Sequence, residues 1–158
     1  SKPSQKEGLS KLFGSSSVAS PSFLIQATRD PKGANLDRVQ VIKGWVEEDG
    51  TSAERVYDVA WAGDRALSAE GRLPAIGNTV DLVSGEYTND IGTAELVQVW
   101  VDPDFNATQR AFYYVRVLEI PTARHSLLDG IAMQTDPPDA QPPTLQERAY
   151  TSPIWYTP

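Results

Sequence analysis

RVQVIKGWVEEDGTSAERVYDVAWA, residues 38–62, decides the fold. Val39 and Val41 alternate with polar neighbours at the two-residue period of a half-buried strand. Asp49-Gly50 lies inside EEDGTS (47–52), a hairpin signal, because glycine accepts the positive φ that a tight turn demands. The chain then returns through ERVYDVAWA (54–62), with Tyr57, Val59 and Trp61 on one face. The alternation breaks once: Ile42 is apolar and Lys43 is not. With Gly44 next in line, the break predicts a β-bulge near Lys43–Gly44.

The same reading extends outward. SFLIQAT (22–28) is a short apolar run that ends at the turn DPKGAN (30–35). GDRALSAEGRLPAIG (63–77) reads as a surface loop, NTVDLVS (78–84) as a strand and GEYTNDIG (85–92) as a turn. TAELVQVWV (93–101) puts Val97, Val99 and Val101 on one face, and Leu96 and Trp100 on the other. RAFYYVRVLEI (110–120) is apolar on both faces, the mark of a central strand, and Pro121 ends it. ARHSLLDGIAM (123–133) predicts one short helix, and TLQERA (144–149) a single helical turn. Between them QTDPPDAQPP (134–143) is too rich in proline for regular structure. SPIWYTP closes the chain as a strand, with Ile154 and Tyr156 facing one way and Trp155 the other. About seven to eight short strands with turn-rich connections predict a mainly all-β fold, an antiparallel β-sandwich of immunoglobulin-like style. Residues 1–21, rich in Ser, Lys, Gly and Pro, read as a flexible linker or arm, and 22–158 as a single domain.

Composition narrows the function. At 158 residues, a single domain can bury about 68–70% of its unfolded surface. Twelve prolines and eleven glycines suit short strands and many turns. The net charge of −7 argues against nucleic acid as a partner, since tracking phosphates needs a basic stripe. No cysteine is present, so thiol catalysis, disulfides and thiolate metal sites are excluded. No apolar run reaches the ~18 residues of a membrane span.

The candidate sites are few. His125 is the only histidine, short of the two or more nitrogen or sulfur ligands that a transition metal prefers. Asp102, Asp104 and Asn106 imitate the opening of a calcium loop, but Ala107 stands where that loop needs glycine and Tyr113 where it needs glutamate. A turn after a strand explains the same three residues. No glycine-rich phosphate loop and no nucleophile elbow occurs. No residue is assigned a catalytic or cofactor-binding role. Trp45, Trp61, Trp100 and Trp155 all fall within strand segments, which favours core packing over ligand stacking. Trp45, Trp61 and Trp155, with Arg116 set between Val115 and Val117, are the candidates for an interface or ligand surface. Arg116 is expected to pair with an acid or to snorkel.

DPKGANLDRVQVIKGWV (30–46), ERVYDVAWAGDR (54–65), IGNTVD (76–81), YTNDIGTAEL (87–96), RAFYYVRVLEIPT (110–122) and QERAYTSPIWYTP (146–158) are more specific than this generic pattern. Together they resemble the carboxyl-terminal part of a bacterial family, domain of unknown function 3604, over residues 22–158. The resemblance implies a longer protein whose upstream part is similar to PHP-type metal-dependent phosphoesterases. Its metal ligands, histidines and acids, would lie in that upstream barrel, and none of those motifs occurs here. A divalent metal is thus expected in the parent protein and no cofactor in this chain. The expected partner is the upstream catalytic domain, the oligomeric state is left open, and a periplasmic or secreted setting is favoured. The function so implied is a non-catalytic accessory domain; the alternative is a module that binds carbohydrate or another envelope ligand through exposed tryptophans.

Overall fold

A computed structural model describes residues 19–135 and 141–158. Residues 1–18 of the expected linker, and 136–140 of the proline-rich loop, lie outside the described residues. The hairpin at the centre of the sequence is β2 (Leu36–Val46) and β3 (Ser52–Trp61), paired antiparallel. Gly50 takes φ +85° at its turn, and Glu47 N–H donates to the Thr51 carbonyl to close it. β5 (Ala111–Glu119) lies on the other side of β2, and its far edge is completed by two three-residue strands, β8 (Arg148–Tyr150) and β9 (Ile154–Tyr156). This five-stranded sheet runs β3-β2-β5-β8, with β9 also on β5, so the apolar RAFYYVRVLEI segment is indeed central.

β1 (Ser22–Thr28) and β4 (Glu95–Val101) form a separate two-stranded antiparallel sheet. Its Ile25, Ala27 and Leu96 pack with Val39, Val41, Ala111 and Tyr113 of the large sheet in one core. Aromatic rings bridge the layers: Phe23 and Trp100 of the small sheet meet Tyr113 at 5.1 and 6.5 Å between centroids, and Trp100 meets Tyr57 at 5.1 Å. The expected antiparallel, sandwich-like all-β fold is what the chain adopts. A two-residue pair, β6 (Thr122–Ala123) with β7 (Thr144–Leu145), brackets the helix α1 (His125–Met133).

Three local expectations are corrected. NTVDLVS is not a strand; Asp81 instead accepts from Val83 N–H at 2.7 Å and fixes a turn. TLQERA is not helical but supplies β7 and the start of β8. No bulge occurs at Lys43–Gly44. The pairing with β3 shifts between Val39 and Gln40, leaving Val59 as the extra residue, so Val59 and Ala60 are both buried. A second shift, between Leu36 and Arg38, leaves Asp37 extra against β5.

Both irregularities are tied down by charge. Asp37 is buried and accepts from Arg38 Nε at 3.0 Å and Gln146 Nε2 at 2.8 Å. Arg65 NH2 stands 2.7 Å from Asp37 Oδ1, but off the line of a hydrogen bond, so that contact is one of charge alone. Arg65 also donates to the carbonyls of Asp37, Ala62 and Pro74, which lashes the 63–77 loop to the hairpin.

Lys43 continues the inward row of Val39 and Val41 as a buried charge. Its Nζ lies 2.6 Å from Asp102 Oδ2, the two side chains being 3% and 0% exposed. Asp102→Ala strands this ammonium, and should cost about 3–5 kcal/mol, read by urea unfolding. A second test concerns Glu119, whose carboxyl is pushed up from its ordinary 4.5, first by burial and then by repulsion from Glu147 and Asp30. The folded state therefore binds more protons than the unfolded one, and stability falls as pH rises above that ordinary value. Glu119→Gln should raise Tm at pH 7 and lose that advantage below pH 4.5, as measured by thermal melts across pH.

Candidate functional site: an aromatic groove

The outer face of the large sheet is set by the partners of Gly44. Glu54 lies opposite it on β3 and Phe112 on β5, and Phe112 in turn lies opposite Trp155 on β9. Without a side chain on Gly44, the Phe112 ring lies across β2, and a Cβ there would collide with its Cζ. The result is a groove of about 530 Å³ at the ends of four strands, floored by Gly44 and Phe112. Trp155 forms its wall at 72% exposure, with its ring 5.2 Å from Phe112 and tilted by 48°. The aromatic row continues: Tyr114 stacks on Phe112 at 6.4 Å and 9°, and Tyr150 meets Tyr114 at 6.2 Å. Arg110, Glu54, Ser52 and Thr157 supply the polar lining.

A family model described as protein of unknown function (DUF3604) matches residues 8–158. The chain belongs to that family. The match starts upstream of β1, so it takes in more of the amino-terminal stretch than the residues that carried the resemblance. No curated protein and no solved structure matches the chain.

In this DUF3604 chain, the residues singled out from sequence go to different places. Trp155 and Trp45 both line the groove; Trp45 is half-buried against the core, and its Nε1 donates to Glu47 Oε1 at 2.7 Å. Trp61 lies at the far end of β3, where its Nε1 donates to the Arg65 carbonyl. Arg116 does not pair with an acid directly. Its Nε donates to Gln40 Oε1 at 2.8 Å, and Gln40 Nε2 donates to Asp58 Oδ1 at 2.7 Å, so an amide relays the charge. His125 is exposed at the first turn of α1.

The calcium-like turn has a built-in cation. Lys43 Nζ donates to Asp102 Oδ2 and, at 2.8 Å, to the Asp104 carbonyl. Tyr113 OH also donates to Asp102 Oδ2, at 2.7 Å, and Asp104 N–H to Asp102 Oδ1, at 2.9 Å. Asp104 accepts from Arg55 and Tyr57, while Asn106 caps its own turn by accepting from Thr108. Burial, followed by these hydrogen bonds to carboxylates, pushes the Tyr57 and Tyr113 phenols well above the ordinary tyrosine range. Among the described residues no group of three His, Cys, Asp or Glu stands together as a metal-binding set, and no helix is long and apolar enough to cross a membrane.

Sequence reading missed Phe112, Gly44 and Arg110. The usable signal was RAFYYV against IKGWV, in which an aromatic on one strand meets the side-chain-free position of its neighbour. Gly44→Ala should lift Phe112 from the groove floor and destabilise the domain by about 1–3 kcal/mol, the cost of overpacking. Chemical denaturation together with the near-ultraviolet aromatic dichroism would measure both effects.

Proposed function

We propose that this chain is a non-catalytic accessory domain, the carboxyl-terminal β-sandwich of a larger protein whose upstream part is a metal-dependent hydrolase of the PHP type. Divalent metal and catalysis belong to that upstream part, and the domain works by contact with it. The observation that carries this reading is an aliphatic strip on the outer face of β1 and β4. Leu24 and Val99 are direct cross-strand partners, and Val97 and Val101 extend the row. Leu24 is 76% exposed, and the three valines are each at least half exposed. A two-stranded ribbon is marginal by itself, and a continuous apolar row on its open face marks a surface built for a protein partner. Covering such a row releases about 25 cal/mol per Å² of apolar surface. The use of the acids and bases supports the same reading. Among the described residues, the buried charged side chains Asp37, Asp102 and Lys43 are all engaged in internal pairing.

The test uses the upstream region and this chain as separate polypeptides mixed in solution. Titration calorimetry should show binding, weakened at least about tenfold (1.4 kcal/mol) by Val99→Lys. Because Val99 is exposed, the thermal melt of the variant should be unchanged. With manganese, magnesium or zinc present, the chain alone should not hydrolyse p-nitrophenyl phosphate. Hydrolysis by the chain alone, or association indifferent to Val99→Lys, would overturn the reading.

A further inference from the structure

We propose that the groove beside Trp155 binds a neutral carbohydrate through one face of a pyranose ring. This goes beyond the docking role above and concerns the opposite side of the sandwich. A volume of 530 Å³ lies within the range of small-molecule sites, about 300–1,000 Å³. The two rings form a V, Trp155 as wall and Phe112 as floor, 5.2 Å apart and 48° from parallel. Aromatic faces carry partial negative charge, and the axial C–H bonds of a pyranose present the complementary partial positive charge. An indole held 72% exposed on a three-residue strand contributes little to the core; its payoff comes when its face is covered.

The rim selects the class of ligand. Among the described residues, Arg110 and Glu54 make neither a hydrogen bond nor an ion pair with their side chains, and both line the groove. Arginine only donates and ionised glutamate only accepts, so a ligand that satisfies both, across the width of β2, must carry acceptors and donors. The hydroxyls around a sugar do this. A polyproline segment, the other common guest of aromatic grooves, offers carbonyl acceptors but no N–H, and would leave Glu54 unmet. Arg110 and Glu54 cancel in charge within a chain of net charge −7, which favours a neutral glycan over an acidic one. The groove crosses four strands at the sheet surface, so it suits a ring within a longer saccharide better than an acyl chain, which needs enclosure.

The experiment titrates the whole chain with cellohexaose, chitohexaose, laminarihexaose and mannohexaose, and separately with decaproline, following tryptophan emission and heat. At least one hexasaccharide should bind, with a Kd in the range of about 10 μM to 1 mM. Trp155→Ala should weaken that binding at least about tenfold, and Arg110→Ala by a smaller factor. Val99→Lys, on the opposite face, should leave binding intact, which separates this result from the docking test. Melting curves confirm that Trp155→Ala is folded, as its exposure leads one to expect. The proposal is overturned if no hexasaccharide binds at about 5 mM, if decaproline binds while the sugars do not, or if Trp155→Ala binds as the unaltered chain does.

Discussion

A buried lysine fixes this domain. Lys43 sits in the inward row of β2, between the rings of Trp45 and Tyr113 at 5.5 and 5.8 Å, and its ammonium reaches the turn that follows β4. A charge so deep is costly unless it is matched, and here it is matched by a carboxylate and a carbonyl. Asp102 supplies the counter-charge, its second oxygen is taken by Asp104 N–H, and Tyr113 OH shares the first. The pair joins the large sheet to the small one, because Asp102 is the residue immediately after β4. Neutral side chains of equal volume would hold the layers as firmly; what the pair adds is direction, since only one register brings Nζ onto Oδ2. Asp104 then anchors Tyr57 and Arg55 of β3 from the same turn, and the chain leaves it to enter β5. The position of Phe112, and so of the groove, follows from that entry.

The same lysine shows what sequence could and could not give. Alternation around 38–62, the Asp49-Gly50 turn and the doubly apolar 110–120 run were legible because periodicity and turn chemistry are local. Lys43 breaks the local alternation and so predicts a bulge, whereas the pairing runs unbroken through it. Its partner lies 59 residues away, and no local pattern announces a buried ion pair. The real bulges, at Val59 and Asp37, were hidden because both flanking residues suit either face or are fixed by Arg38, Arg65 and Gln146 at long range. TLQERA failed for a related reason: helix formers were overridden by a free edge on β5.

The candidate site was half legible. Trp45 and Trp155 were singled out, and both line the groove, but Trp61 and Arg116 belong to other parts of the sheet. The groove is assembled by cross-strand register, with Trp155 opposite Phe112 and Phe112 opposite Gly44, the neighbour of Trp45, which sequence spacing does not encode. The terminal strand pairs with β5 as expected, with Tyr156 and Trp155 on opposite faces. Tyr156 faces inward, packs on Phe105 at 4.9 Å and donates its OH to the Ala107 carbonyl, whereas Trp155, the largest side chain, stays out. Residues 154–156 thus hold themselves in place with one aromatic and present another. The domain divides in this way: Asp37, Lys43 and Asp102 turned inward, and Leu24, Val99 and Trp155 turned outward.

Iodide quenching of the four tryptophans tests that division most directly. The account predicts one readily quenched component, lost in Trp155→Phe, and protected emission from Trp45, Trp61 and Trp100, which are half-buried and packed or hydrogen-bonded in place. Uniform quenching of all four, or a quenchable component that persists in Trp155→Phe, would contradict it.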